Sequence, residues 1–166
     1  MKIELRDPLD SARGSWAEDR LGDPSHFFAM SALLRLARRV MLSVDKTLRN
    51  HGLTLNAYLL LMTLELSPKG SRILTHLAED LMVHPTTVTL TVDKMELNGL
   101  VTKSAHETDR RAVRTLITSK GRALAREITL ELNQQNFGLG QLSGTQIDRL
   151  VSSMKSARRA VGDITS

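Results

Sequence analysis

The stretch His84-Pro85-Thr86-Thr87-Val88-Thr89-Leu90-Thr91-Val92-Asp93-Lys94-Met95-Glu96-Leu97-Asn98-Gly99, followed closely by Glu107-Thr108-Asp109-Arg110-Arg111, decides how this chain reads. Pro85 suits the first position of a helix, where its missing N–H costs nothing. Val88, Val92 and Met95, at i, i+4 and i+7, give that helix one buried stripe, and Asn98-Gly99 tolerate the left-handed backbone that ends it. Upstream, Leu74, Leu77, Ala78 and Leu81 repeat at helical spacing, so a short helix is expected over Thr75 to Asp80, with Met82-Val83-His84 as the turn. Downstream, Leu100 to Lys103 and Ala112 to Ile117 read as two strands, with the polar Glu107 to Arg111 turn between them. Helix, turn, helix and basic hairpin in that order predict a winged helix-turn-helix.

The flanks read as helical scaffold. A long helix is expected from Ser25, taken as its N-cap, to about Asn50, with Gly52 closing it. Its apolar residues Phe27, Met30, Leu34, Ala37, Met41, Val44 and Leu48 follow a strict 3.5-residue repeat, and Leu33, Leu36 and Val40 add a second face. Two apolar faces predict a helix packed both on its own chain and on a second one. Thr54 should cap a second, nearly all-apolar helix from Leu55 to Leu66, stopped by Ser67-Pro68-Lys69-Gly70. Thr118 should cap another from Ser119 to about Asn136, broken by Phe137-Gly138-Leu139-Gly140. Ser143 and Gln146 have capping-box spacing before a last helix carrying Ile147, Leu150, Val151, Met154 and Ala157. The expected fold class is mainly α: a winged helix-turn-helix with a small β-hairpin wing, plus an all-α dimerisation lobe from the N- and C-terminal helices. The divisions are 1–25 as an N-terminal extension, 26–52 and 119–166 as dimerisation helices, and 53–118 as the DNA-binding region.

Composition sets bounds on function. The chain has 166 residues, an apolar fraction of 41% and aromatics at 3%, which fits an aliphatic helical core. Net charge is +5 with a pI near 10.0, which fits a polyanionic partner. No cysteine is present, excluding disulfides, thiolate metal sites and cysteine-oxidation sensing. The longest apolar run, Ala57 to Met62, is far short of a bilayer span and no secretory signal is visible, so a cytoplasmic location is expected.

On the predicted recognition helix, Thr86, Thr87, Thr89, Leu90 and Lys94 face outward. Threonine hydroxyls can bond phosphates or base edges, and threonine methyls and Leu90 can meet thymine methyls. No arginine lies on this helix, so bidentate guanine readout from it is excluded. Lys103, Arg110, Arg111 and Arg114 gather at the wing, whose tip can enter a minor groove. Asp109 is expected to hold Arg111 by an ion pair. Catalytic motifs are absent: there is no GxGxxG, P-loop, GxSxG or HExxH, and the five histidines are scattered, so neither enzyme, metal site nor cofactor is expected. His84 reads as a cap or a phosphate contact.

Leu74 to Ala78, the run Met95-Glu96-Leu97-Asn98-Gly99-Leu100-Val101, and Asp109-Arg110-Arg111 followed by Leu116-Ile117-Thr118-Ser119-Lys120-Gly121 resemble the MarR family of dimeric bacterial transcription regulators. The resemblance spans about residues 26–160. It implies a triangular homodimer, winged domains at its lower corners, and a small-molecule pocket where the two parts meet. It also implies groove-facing roles for Thr86, Thr87, Thr89, Leu90 and Lys94, and a wing pair in Asp109 and Arg111. Leu90 and Thr91 depart from the arginine and aliphatic residue common there. Trp16 on an N-terminal extension resembles the urate- and phenolic-responsive branch, although Leu59 and Thr91 replace two of its marker residues and argue against urate. Trp16 either clips the terminus to the core or borders a pocket with Met30, Tyr58 and Met62, residue types that suit an apolar or aromatic ligand. The expected function is a dimeric regulator binding a pseudo-palindromic operator, a repressor released by a small aromatic or phenolic effector. An effector-independent architectural DNA-binding protein is the alternative.

Overall fold

A computed structural model describes residues 22–105 and 112–165, together with Leu9, Ala12, Ser15 and Trp16 of the N-terminal segment. Six helices of eight residues or more follow one another among these: α1 (Ser25–Asn50), α2 (Leu55–Glu65), α3 (Leu74–Leu81), α4 (Pro85–Leu97), α5 (Ser119–Gln134) and α6 (Gly144–Ala160). Strands β1 (Ser71–Ile73), β2 (Val101–Ala105) and β3 (Val113–Ile117) form one antiparallel sheet in the order β1-β3-β2. The fold is mainly helical with a small sheet, as its sequence predicts. No described helix is long and apolar enough to cross a membrane.

Helix ends follow local chemistry closely. The Thr54 hydroxyl accepts from the Ala57 N–H, that of Thr118 from Gly121, and Ser143 with Gln146 closes a reciprocal capping box. His84 is also a cap, its Nδ1 accepting from the Thr86 N–H at 3.2 Å. The start of α1 corrects the reading of Ser25 as N-cap. Ser25 is the first helical residue, and Asp23 holds it from outside, accepting from its N–H at 3.0 Å and its hydroxyl at 2.8 Å. Those two bonds, the backbone one first, lower the Asp23 carboxyl below the usual carboxylate range.

Strand β1 is an addition to the sequence reading. Three residues are too short to show a period of two, and they register onto β3 through Ser71–Leu116, Arg72–Thr115 and Ile73–Arg114. β2 pairs antiparallel with the other edge of β3, from Val101–Ile117 to Ala105–Val113. Arg72 is anchored to Asp80 of α3 by an ion pair at 2.8 Å. The turn between α3 and α4 passes through Met82 in the left-handed region, φ 51°, a conformation a longer side chain adopts only under constraint.

The core lies where α2 meets α3, α4 and α5. Leu60, Leu61, Leu64, Leu77, Val88, Val92, Met95, Ile128 and Leu132 are buried there. The 3.5-residue stripe of α1 divides along its length. Val44 and Leu48 are buried, whereas Phe27, Met30, Leu34 and Met41 stand exposed, as do Leu33 and Leu36 of the second face. Helix α6 buries no residue at all within one chain.

Candidate DNA-binding interface

Helix α4 is presented by burial of its other side. Val88, Val92 and Met95 lock into the core, which turns Thr86, Thr87, Thr89, Leu90 and Lys94 outward, and all five are exposed. Leu90 is 65% exposed. Such exposure of a leucine at mid-helix costs hydrophobic stabilisation unless something covers it. The threonines are not equivalent. Thr89 donates its proton to the Pro85 carbonyl at 3.1 Å and Thr91 to the Thr87 carbonyl at 2.7 Å. Each therefore offers outward a methyl and an acceptor oxygen rather than a donor.

Lys103, read from the sequence as a DNA contact, sits on β2 with its ammonium 2.7 Å from Asp93 Oδ1 and 2.9 Å from Glu96 Oε2. Its backbone N–H also donates to Glu96 Oε1 at 2.9 Å. The two carboxylates, Asp93 first, raise the Lys103 ammonium above its usual range, and Lys103 lowers Glu96. One lysine thus joins the recognition helix to the base of the wing. Arg114 lies opposite Ser104 on the neighbouring strand and is partly buried. Asp109, Arg110 and Arg111 lie outside the described residues.

A second joint fastens the C-terminal end of α4 to α5. Thr118 donates to the carbonyls of Gly99 at 2.8 Å and Leu100 at 3.1 Å, and Lys120 reaches the Asn98 carbonyl at 2.9 Å. Gly121 permits this approach: a Cβ there would stand 2.2 Å from the Leu100 carbonyl oxygen. A third joint ties α2 to α5. Glu65, its side chain only 11% exposed, is held by Arg122 and by Arg126 at 2.7 Å. Hydrogen bonding from Arg126 is the leading cause that lowers the Glu65 carboxyl below the ordinary glutamate range.

The residues expected around an effector divide into two groups. Tyr58 is buried and its hydroxyl lies 2.9 Å from Thr129 Oγ1, whose distance to Met62 Sδ is 3.3 Å. Trp16 belongs to an aromatic cluster instead, 4.8 Å from the Phe27 ring and 6.0 Å from Phe28, with its indole N–H donating to the Gly22 carbonyl at 2.9 Å. Met30 is half exposed on α1. Phe28, outside the heptad stripe and passed over in the sequence, is the buried member of this cluster. Sequence reading also missed a groove of about 280 Å³ where the α1–α2 turn, Gly52 to Thr54, faces Thr87, Leu90, Thr91 and Lys94 of α4. Its two walls lie more than 30 residues apart in sequence, so no local pattern announces it.

A sequence model of the MarR family matches residues 53–113. Among solved structures, Sco5413, a MarR family transcriptional regulator from Streptomyces coelicolor, is 32% identical at a TM-score of 0.77, over 87% of this chain and 100% of that one. Sco3205 from the same organism, solved in complex with DNA, is 20% identical at a TM-score of 0.76, over 86% and 91%. BpsR from Bordetella bronchiseptica, whose DNA binding is regulated by 6-hydroxynicotinic acid, is 22% identical at 0.69, over 78% and 97%. No curated protein matches the sequence. At 32% identity across the full length of Sco5413, and with the helix-turn-helix and sheet in place, this chain belongs to the MarR family of transcriptional regulators, which are not enzymes.

Proposed function

We propose that the chain acts as a homodimeric, ligand-responsive repressor that reads a pseudo-palindromic operator. The observation that carries this is the outward face of α4, apolar and hydroxylated, held rigidly by Lys103 and the Thr118 joint. In the dimer, two copies of α4 enter successive major grooves about 34–36 Å apart. Thr86, Thr87 and Lys94 serve phosphates and base edges, Leu90 and the threonine methyls serve thymine methyls, and Arg110, Arg111 and Arg114 serve the wing's groove and backbone contacts. Support for the second copy comes from the exposed apolar rows of α1 and from α6, neither of which one chain covers.

For the effector, the supporting features are the Tyr58–Thr129–Met62 group at the α2–α5 seam and the Trp16–Phe27–Phe28 cluster beside α1. A small aromatic or phenolic acid suits these residue types, and the regulation of BpsR by 6-hydroxynicotinic acid is in keeping with it. Binding there releases the operator by favouring a dimer whose two α4 helices miss the grooves.

Footprinting on DNA flanking the gene's own promoter, with and without benzoate or 6-hydroxynicotinate, tests the whole reading. A discrete inverted repeat that weakens with ligand is expected. A diffuse footprint that ligand leaves unchanged, and that salt alone dissolves, overturns it in favour of an architectural role. Arg111→Ala should weaken operator binding with the dimer intact, and undiminished binding would remove the wing from the interface.

A further inference from the structure

We propose that His51, Glu127 and Glu131 form a binding site for one divalent cation of the zinc, cobalt(II) or manganese(II) class, at the seam between α1 and α5. A ligand atom of each residue lies within 4.8 Å of the others, the one such group of three among the described residues. Donors that each stand ~2.1 Å from a shared cation are about 3.4 Å apart in tetrahedral geometry. The observed spacing therefore exceeds closed coordination by up to about 1.4 Å, a distance that the exposed Glu127 side chain covers by a change of rotamer.

The other two donors are already positioned. His51 caps the C-terminal end of α1, its backbone N–H bonded to the Leu48 carbonyl at 3.0 Å, and its side chain is 14% exposed. Its Nε2 lies 3.0 Å from Glu131 Oε1, so a cation would take the place of the proton the two now share. On α5, Glu127 and Glu131 are one helical turn apart. The burial of Ile128 and Leu132 on the same helix prevents α5 from rotating both carboxylates away from His51. Two carboxylates at i and i+4 repel each other, a cost that a divalent cation between them reverses.

The donor set determines the class of ion. One imidazole nitrogen and two carboxylate oxygens suit borderline and hard divalent metals, and the chain offers no thiolate to select a softer one. Three protein donors leave the remaining positions to water. The ion would clip the end of the long helix α1 to α5 beside Gly52, where the chain turns into the DNA-reading region. Sequence spacing conceals this site because His51 and the glutamates are separated by more than 70 residues.

The test uses tag-free, EDTA-treated full-length protein titrated with Co(II), followed by visible absorption, and with Zn(II), followed by calorimetry and thermal melting. Saturation at one cation per chain with a raised Tm is expected, and Glu127→Gln should weaken binding about tenfold or more. Glu127 is exposed, so that variant keeps its fold, which circular dichroism checks. His51→Gln should abolish the cobalt spectrum's nitrogen-ligand signature. Absence of saturable binding, or binding that both variants leave unchanged, overturns the site.

Discussion

Thr115 places a hydroxyl at the centre of the sheet with no hydrogen-bond partner among the described residues, on a residue with no exposure at all. A buried hydroxyl left unsatisfied costs about 1–3 kcal/mol, and valine has the same branched shape without it. Thr115→Val is therefore expected to raise stability by about 1 kcal/mol, read as a higher urea midpoint with an unchanged slope. Gly121 gives the opposite result. Its Cβ would meet backbone rather than a movable side chain, so Gly121→Ala is expected to cost roughly 2 kcal/mol in the same measurement. Residue identity on α4 was legible in sequence because helical periodicity alone decides which side is buried. The state of each hydroxyl was not: whether Thr89 donates to Pro85 or to a partner depends on a rotamer that no pattern encodes.

At the scale of elements, Lys103 shows where sequence reasoning reaches its limit. A lysine beside a basic hairpin reads as a phosphate contact, yet pairing with Asp93 and Glu96 depends on β2 crossing the C-terminal half of α4. If Lys103 braces the wing, Lys103→Met should lower operator affinity without altering the slope of log K against log salt. A slope reduced by about 1 would instead assign it to a phosphate. Glu65 offers a pH test of the α2–α5 joint. Its carboxyl is depressed in the folded state, so its contribution is present above the ordinary glutamate range and is lost as pH falls through the lower folded value. Glu65→Gln should therefore be less stable than the parent at pH 7, with the gap closing in acid, as followed by denaturant midpoints across pH. Caps at Thr54, Thr118 and Ser143 were readable because each needs only its own next three residues. Strand β1 was not, because three residues acquire strand geometry only from β3 beside them.

For the whole molecule, the heptad of α1 announced a long seam, and the single chain leaves that seam half uncovered. Leu34→Glu places a charge on the exposed row, where two copies would bring like charges together. Sedimentation at the 18.4 kDa monomer mass is expected for this variant, with operator binding lost and circular dichroism retained. Persistence of a dimer would move the interface elsewhere. Side-chain bonds cross the division of the chain at Thr118. Through Thr118, Gly121, Lys120 and Glu65, α5 is bolted at its N-terminal end to the reading helix and to α2, while farther along Gln135 bonds Thr47 of α1 at 3.0 Å. With 16 residues α5 is roughly 24 Å long, and a tilt of about 5° displaces one end by about 2 Å relative to the other. In the proposed regulator it is a lever: a shift of the end beside α1 is carried through the Thr118 joint to α4.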